Sequence, residues 1–380
     1  MKRRGETKAE PSPQHLLAMQ EEALGKDDPH AVLLLRRLAQ LHLDQQRITE
    51  ALPLLERAFS LSEEHLRQEC LAPPEARLAQ VLPGFHDEAE NLYSLALAWR
   101  DEPRVRRLAL SAALLRKGLS LARLSQLFRT LSRGLRREDL EAFEVLRSLR
   151  AGLSTMRLMG PGTRSPGDYR QSLETLSSQG DALEADLASR FAPLRWFREQ
   201  PSPTELLDRV AAALPRDGAL VEFVTFRHLP PAPEPGPSSS RPARPSRYLA
   251  LVLLADGSTS SVDLGPVEPM DANAILLHRA LTSRSAPCQP LAQALYASAF
   301  RPLLPLLGTA RRLFIAPDGW LALVPFTELY DGARFLSDAF GITQLTSGRE
   351  LLPGPEGHPH KQPGIFLLGL DPSWPSEALS

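Results

Sequence analysis

Cysteine is scarce in this chain: Cys70 and Cys288 are the only two among 380 residues. Neither stands at the spacing of a zinc-ligand pair, and two thiols make no disulfide framework, so the fold must rest on an apolar core. A reducing, cytoplasmic setting suits such a composition. Long apolar runs are missing as well. No stretch of about 18 uninterrupted apolar residues occurs, and the opening MKRRGETKAEPSPQH has basic residues with no apolar segment behind them. Membrane spanning and secretion are not expected. An excess of one charge is absent too, since 44 Lys and Arg face 45 Asp and Glu. No global field draws the chain to nucleic acid or to a lipid surface. No residue cluster calls for a cofactor or a metal.

Proline, by contrast, is abundant: 35 residues, in clusters that mark linkers and turns. Residues 1–28 are polar and Pro-containing and read as a flexible N-terminal arm or a loosely attached first helix. Residues 29–200 read as helical. AVLLLRRLAQLHLDQQRITEALPLLERAFSLSEEHL has apolar residues at three- and four-residue spacing on both sides of a polar break, DQQR, which predicts a helical hairpin. Leu35, Leu38, Ala39 and His42 are followed by Ala51, Leu55 and Ala58 at the offsets of a tetratricopeptide repeat, which the segment resembles. Small residues at 39, 51 and 58 let the two helices approach. His42 replaces the large aromatic usual there, and one repeat needs neighbours to bury its faces. Helical periodicity at 88–99, 105–131, 138–156 and 169–191 supplies them, with breaks at 73–76, 101–103 and 160–167.

After Pro201 the period changes. A short helix TELLDRVAAALP leads to ALVEFVTF (219–226), RYLALVLLAD (247–256), GSTSSVDLG, two helical segments and RRLFIAP (311–317). Strands alternating with helices, and strands apolar on consecutive positions, predict an α/β domain with a buried sheet. The insert at 229–246 is too rich in Pro and Ser to pack and reads as a disordered loop between two strands.

LFIAPDGWLALVPFTEL (313–329), followed by FLSDAFGITQLTSGRELL, resembles the N-terminal half of a CHAT domain, a caspase-like module associated with tetratricopeptide repeats. ALPRDGALVEFVTF ahead of RYLALVLLADGSTSSVDLG, LLRKGL in the helical region and GIFLLGLDPS near the end extend the resemblance over roughly residues 85–380. The fold class that follows is α + α/β: an all-α, tetratricopeptide-like array over 29–200, then the first half of a caspase-like sheet domain over 201–380. The resemblance implies a bacterial-type cysteine endopeptidase, a hydrolase that cleaves a protein substrate when its repeats engage a protein partner. Its His-Gly and Ala-Cys motifs are expected beyond residue 380, because none of the nine histidines precedes Gly and neither Cys follows Ala. The 380 residues alone are then expected to be inactive, with the apolar strand GIFLLGL covered by a complementing C-terminal segment. The alternative is a non-catalytic interaction scaffold or pseudoprotease subunit.

Candidate chemistry within the chain is thin, and no catalytic, cofactor or metal residue is assigned. LFIAPDGWLALVPF reads as a core hairpin in which Asp318 and Gly319 make the reversal, Pro325 ends the pairing and Phe326 plugs the core. A lone Asp318 with no partner acid or His has no mechanism. His278 and Cys288 are ten residues apart, but a helical His and a Cys in a Pro-flanked turn lack the fixed geometry of a dyad. Cys70 reads as a packing thiol. His358 and His360 have no ligand partner at metal spacing. Residues 103–137 hold ten Lys or Arg and no acid. Solvated faces paired with neighbouring carboxylates explain that stripe better than a nucleic-acid surface, since few aromatics interleave it.

Overall fold

The computed structural model describes residues 12–24, 26, 28, 31–71, 75–119, 135–228, 245–283 and 288–353. The arm before residue 12, the insert at 229–244, His358, His360 and the segment GIFLLGL lie outside them, as do Arg123, Arg129 and Arg133 of the basic stripe.

The helical part begins with α1 (Pro13–Leu24), α2 (Ala31–Asp44) and α3 (Ile48–Leu71), and α2 and α3 form the expected hairpin. Its turn works because Gln46 takes φ 59 while the amides of Gln45, Gln46 and Arg47 return to carbonyls at the end of α2. Leu35, Ala39, Ala51 and Ala58 are all buried where the two helices meet. Then come α4 (Glu75–Ala98), α5 (Pro103–Arg116), α6 (Arg137–Met159), α7 (Pro166–Arg190), α8 (Ala192–Arg198) and α9 (Pro203–Ala213). α4 starts well before the expected residue 88 and runs through Pro83. Burial of Leu82, Phe85, Ala89 and Leu92 along one face outweighs the single lost backbone bond.

The helix starts match their chemistry. Glu102 caps α5 with Pro103 in its first turn, and Ser202 and Glu205 close a capping box on α9. α3, α4 and α5 converge on Arg116, which bonds to Glu63, Glu88 and Ser62 and lies over the rings of Phe59 and Phe85 at 5.3 and 4.7 Å.

The C-terminal part carries a mixed five-stranded sheet in the order β3-β2-β1-β4-β5. β1 (Gly218–Arg227) pairs antiparallel with β2 (Ser246–Leu254), which pairs antiparallel with β3 (Thr259–Pro266). On its other side β1 pairs parallel with β4 (Arg312–Ala316), and β4 pairs parallel with β5 (Gly341–Gln344). Between β3 and β4 run α10 (Val267–Ser283), α11 (Cys288–Leu295) and a π and a 3-10 turn; α12 (Leu336–Ala339) precedes β5.

Strand alternation splits the sheet into two buried faces. Leu220, Val224, Leu249 and Leu251 pack with α4, α5 and α9 in one cluster. Ala219, Val221, Phe223 and Val252 pack with α10 and α11 in the other.

The expected hairpin at 313–329 is not there. β4 already has β1 on one edge and β5 on the other, both parallel, so no edge remains for a returning strand. The chain leaves β4 at Pro317, and Gly319–Leu323 and Phe326–Glu328 are 3-10 turns that bury Leu321, Val324 and Phe326 beneath the sheet. Gly319 does adopt the positive φ expected of it, 55°.

Candidate functional site

The parallel strands end on a partly buried polar cluster. β1 and β4 stay in register from Gly218 with Arg312 to Glu222 with Ala316, after which β1 keeps β2 on one side and has no strand on the other. Its unpaired edge would leave amides unsatisfied. Asp318 repairs this, its Oδ2 accepting the Thr225 amide at 2.7 Å and the Thr225 hydroxyl at 2.8 Å. The Asp318 carboxylate thereby replaces a ladder bond, a different task from the hairpin reversal. Beside it, the Tyr248 hydroxyl donates to Asp271 Oδ1 at 2.6 Å and lies 3.3 Å from the Asp318 carbonyl. Burial pushes the Asp271 carboxyl up, against the bonds from Tyr248 and the Trp320 amide. A Cβ on Gly319 would come within 2.4 Å of the Tyr248 hydroxyl, so only glycine lets the turn close here.

On the helical face of β1 sits Glu222, fully buried between Leu220 and Val224. Lys117, the residue that caps the carboxyl end of α5, donates to Glu222 Oε2 at 2.7 Å and to the Ala316 carbonyl at 2.5 Å. The Gly348 amide, opening the 3-10 turn Gly348–Leu351, donates to Glu222 Oε1 at 2.5 Å. Desolvation pushes the Glu222 carboxyl upward, opposed by the Lys117 ammonium and the Gly348 amide. Four segments therefore meet at one ion pair: the end of α5, the middle of β1, the end of β4 and the turn after β5.

This pair lies outside the candidates that the sequence offers, although the sequence carries a signal for it. ALVEFVTF contains a single charged residue in an otherwise apolar central strand, and a buried carboxylate requires a cation. LLRKGL supplies it.

The other candidates fall elsewhere. His278 Nδ1 lies 3.2 Å from the Leu323 carbonyl oxygen. Cys288 opens α11 rather than sitting in a turn, because its Pro-flanked segment provides a helix start. Cys70 is buried, and desolvation together with Glu63 and Glu69 pushes its thiol up to about 12, which leaves it a protonated packing group. Of the basic stripe, Arg104 pairs with Glu56, Arg107 with Asp208, Arg116 with Glu63 and Glu88, Lys117 with Glu222, and Arg136 with Glu138 and Asp139. Among the described residues no group of three or more His, Cys, Asp or Glu is arranged to hold a metal. No described helix is long and apolar enough to cross a membrane.

Comparison with protein-family models finds a match to the CHAT domain over residues 289–373. The matched segment covers α11, β4, the Asp318–Gly319 turn, β5 and the Gly348 turn, and leaves β1 to β3 and LLRKGL outside it. No curated protein and no solved structure matches the chain.

Proposed function

We propose that this chain is the regulatory helical region and the N-terminal half of a CHAT-type, caspase-like cysteine endopeptidase, in which a protein partner engages the tetratricopeptide-like helices and a protein substrate is cut at the strand ends. The match over residues 289–373 carries the reading. It falls on the segment that builds the ends of β4 and β5, where enzymes with parallel sheets present their reacting groups. The Lys117 link supports the regulatory half of the proposal, because a helix of the array is bonded directly to Glu222 and Ala316. Nucleophile and imidazole come, in this reading, from His-Gly and Ala-Cys motifs that follow the matched segment.

The test is mass spectrometry of new protein N-termini after cell proteins are incubated with the full gene product. New termini that vanish when the Cys of the Ala-Cys motif is changed to Ala support the protease. Identical termini in both samples, or a gene without the two motifs, leave the interaction scaffold as the function.

A further inference from the structure

The basic stripe on α5 is largely spoken for by carboxylates, but two arginines on α2 are not. Arg36 and Arg37 line a cavity of about 350 Å³ between α2, α3 and α4. Among the described residues neither makes an ion pair or a hydrogen bond. Four carboxylates of the surrounding helices are committed elsewhere. Glu56 pairs with Arg104, Asp87 and Glu90 pair with Arg227, and Asp44 accepts from Gln40. The Arg36 charge is felt by buried Glu88, yet the Glu88 carboxylate is bonded to Ser62 and Arg116.

The rest of the lining is neutral. Leu43, Leu55 and Leu95 form an apolar floor, Leu33 stands at the rim 73% exposed, and among the described residues no acid and no aromatic lines the cavity. An exposed leucine beside two guanidinium groups that, among the described residues, have no bonded carboxylate fits a ligand that brings apolar side chains and carboxylates together. A nucleic acid fits it poorly, because two cations neutralise few phosphates and no ring is present on which a base can stack.

We propose that this groove is the docking site for an acidic, apolar peptide segment of a protein partner, its carboxylates held by Arg36 and Arg37 and its apolar side chains seated on the leucine floor. The proposal rests on the reading that the helical region engages a protein. It adds the chemistry by which the partner is recognised.

The experiment pans phage-displayed random peptides on the full chain, then measures binding of the selected sequences, made with a fluorescein label, by fluorescence anisotropy. Selected peptides are expected to carry Asp or Glu next to Leu, Ile or Phe. Their affinity should fall about ten-fold or more in Arg37→Glu and further in Arg36→Glu/Arg37→Glu, with weaker binding at high salt. Arg209→Glu, the same charge change at an exposed position of α9, should bind as the unaltered chain does, and thermal melts by circular dichroism establish that each variant is folded. An empty selection, peptides without acidic residues, or equal binding to folded Arg37→Glu overturns the proposal. So does a labelled single-stranded oligothymidine that displaces the peptide and itself depends on Arg37, which would make the groove a nucleic-acid site. The proteolysis assay does not read this groove, so loss of groove binding leaves the protease reading standing, and a silent proteolysis assay leaves the groove standing.

Discussion

Glu222 is a carboxyl group at which burial and charge pairing oppose each other. Desolvation raises its pKa, while Lys117 and the Gly348 amide favour the charged form without fully offsetting it. A carboxyl whose folded-state pKa lies above its unfolded value contributes stability that is present below the unfolded value, about 4.3, and is lost as pH rises through the folded one. The stability of the unaltered chain relative to Glu222→Gln should therefore decline with rising pH across that window. Urea denaturation at a series of pH values measures it. A difference that grows with pH would mean that Lys117 outweighs burial and holds the carboxyl below its ordinary value. Asp318 has a structural task, its carboxylate accepting from the Thr225 amide and hydroxyl.

Among elements, the turn after β4 and the turn after β5 each depend on one close approach. Gly319 holds φ 55 against the Tyr248 hydroxyl, and Gly348 sits so near Leu220 and Leu114 that a Cβ would meet them at 2.4 and 3.0 Å. Gly319→Ala should cost roughly 2–4 kcal/mol from strain and overpacking. In a Tyr248→Phe background the same change should cost about 1 kcal/mol less, because the clashing oxygen is gone. Urea denaturation of the four chains measures the cycle, and an unchanged cost would place the strain in the backbone alone.

The sequence made some of these elements legible and others not. The α2–α3 hairpin was readable because Leu35, Ala39, Ala51 and Ala58 keep helical spacing around DQQR, and β1 and β2 because their runs are continuously apolar. The segment after β4 was misread because apolar residues flanking Asp-Gly look alike whether they return as a strand or coil into 3-10 turns. Only the parallel neighbours of β4, far apart in sequence, decide between the two. The lone Glu222 in an apolar strand signals a need for a cation, but the sequence does not say which one, because 105 positions separate it from Lys117.

At the scale of the molecule, one apolar cluster joins the two parts, running from Ala39 and Leu43 of α2 through α4 and α5 to Leu220, Leu249 and Leu251 of the sheet. Within it Lys117 and Glu222 are the charged link, both nearly or fully excluded from solvent. Removing one member of such a pair strands the other, at a cost of about 3–5 kcal/mol. A signal that shifts α5 thus has a direct route to the ends of β1 and β4 and to the Gly348 turn. The most direct test is amide hydrogen exchange of the full chain compared with Lys117→Met. Faster exchange in Lys117→Met at residues 345–352 and 314–316, with α2 and α3 unchanged, is the predicted result; a change confined to the end of α5, or spread evenly over the whole chain, would contradict the link.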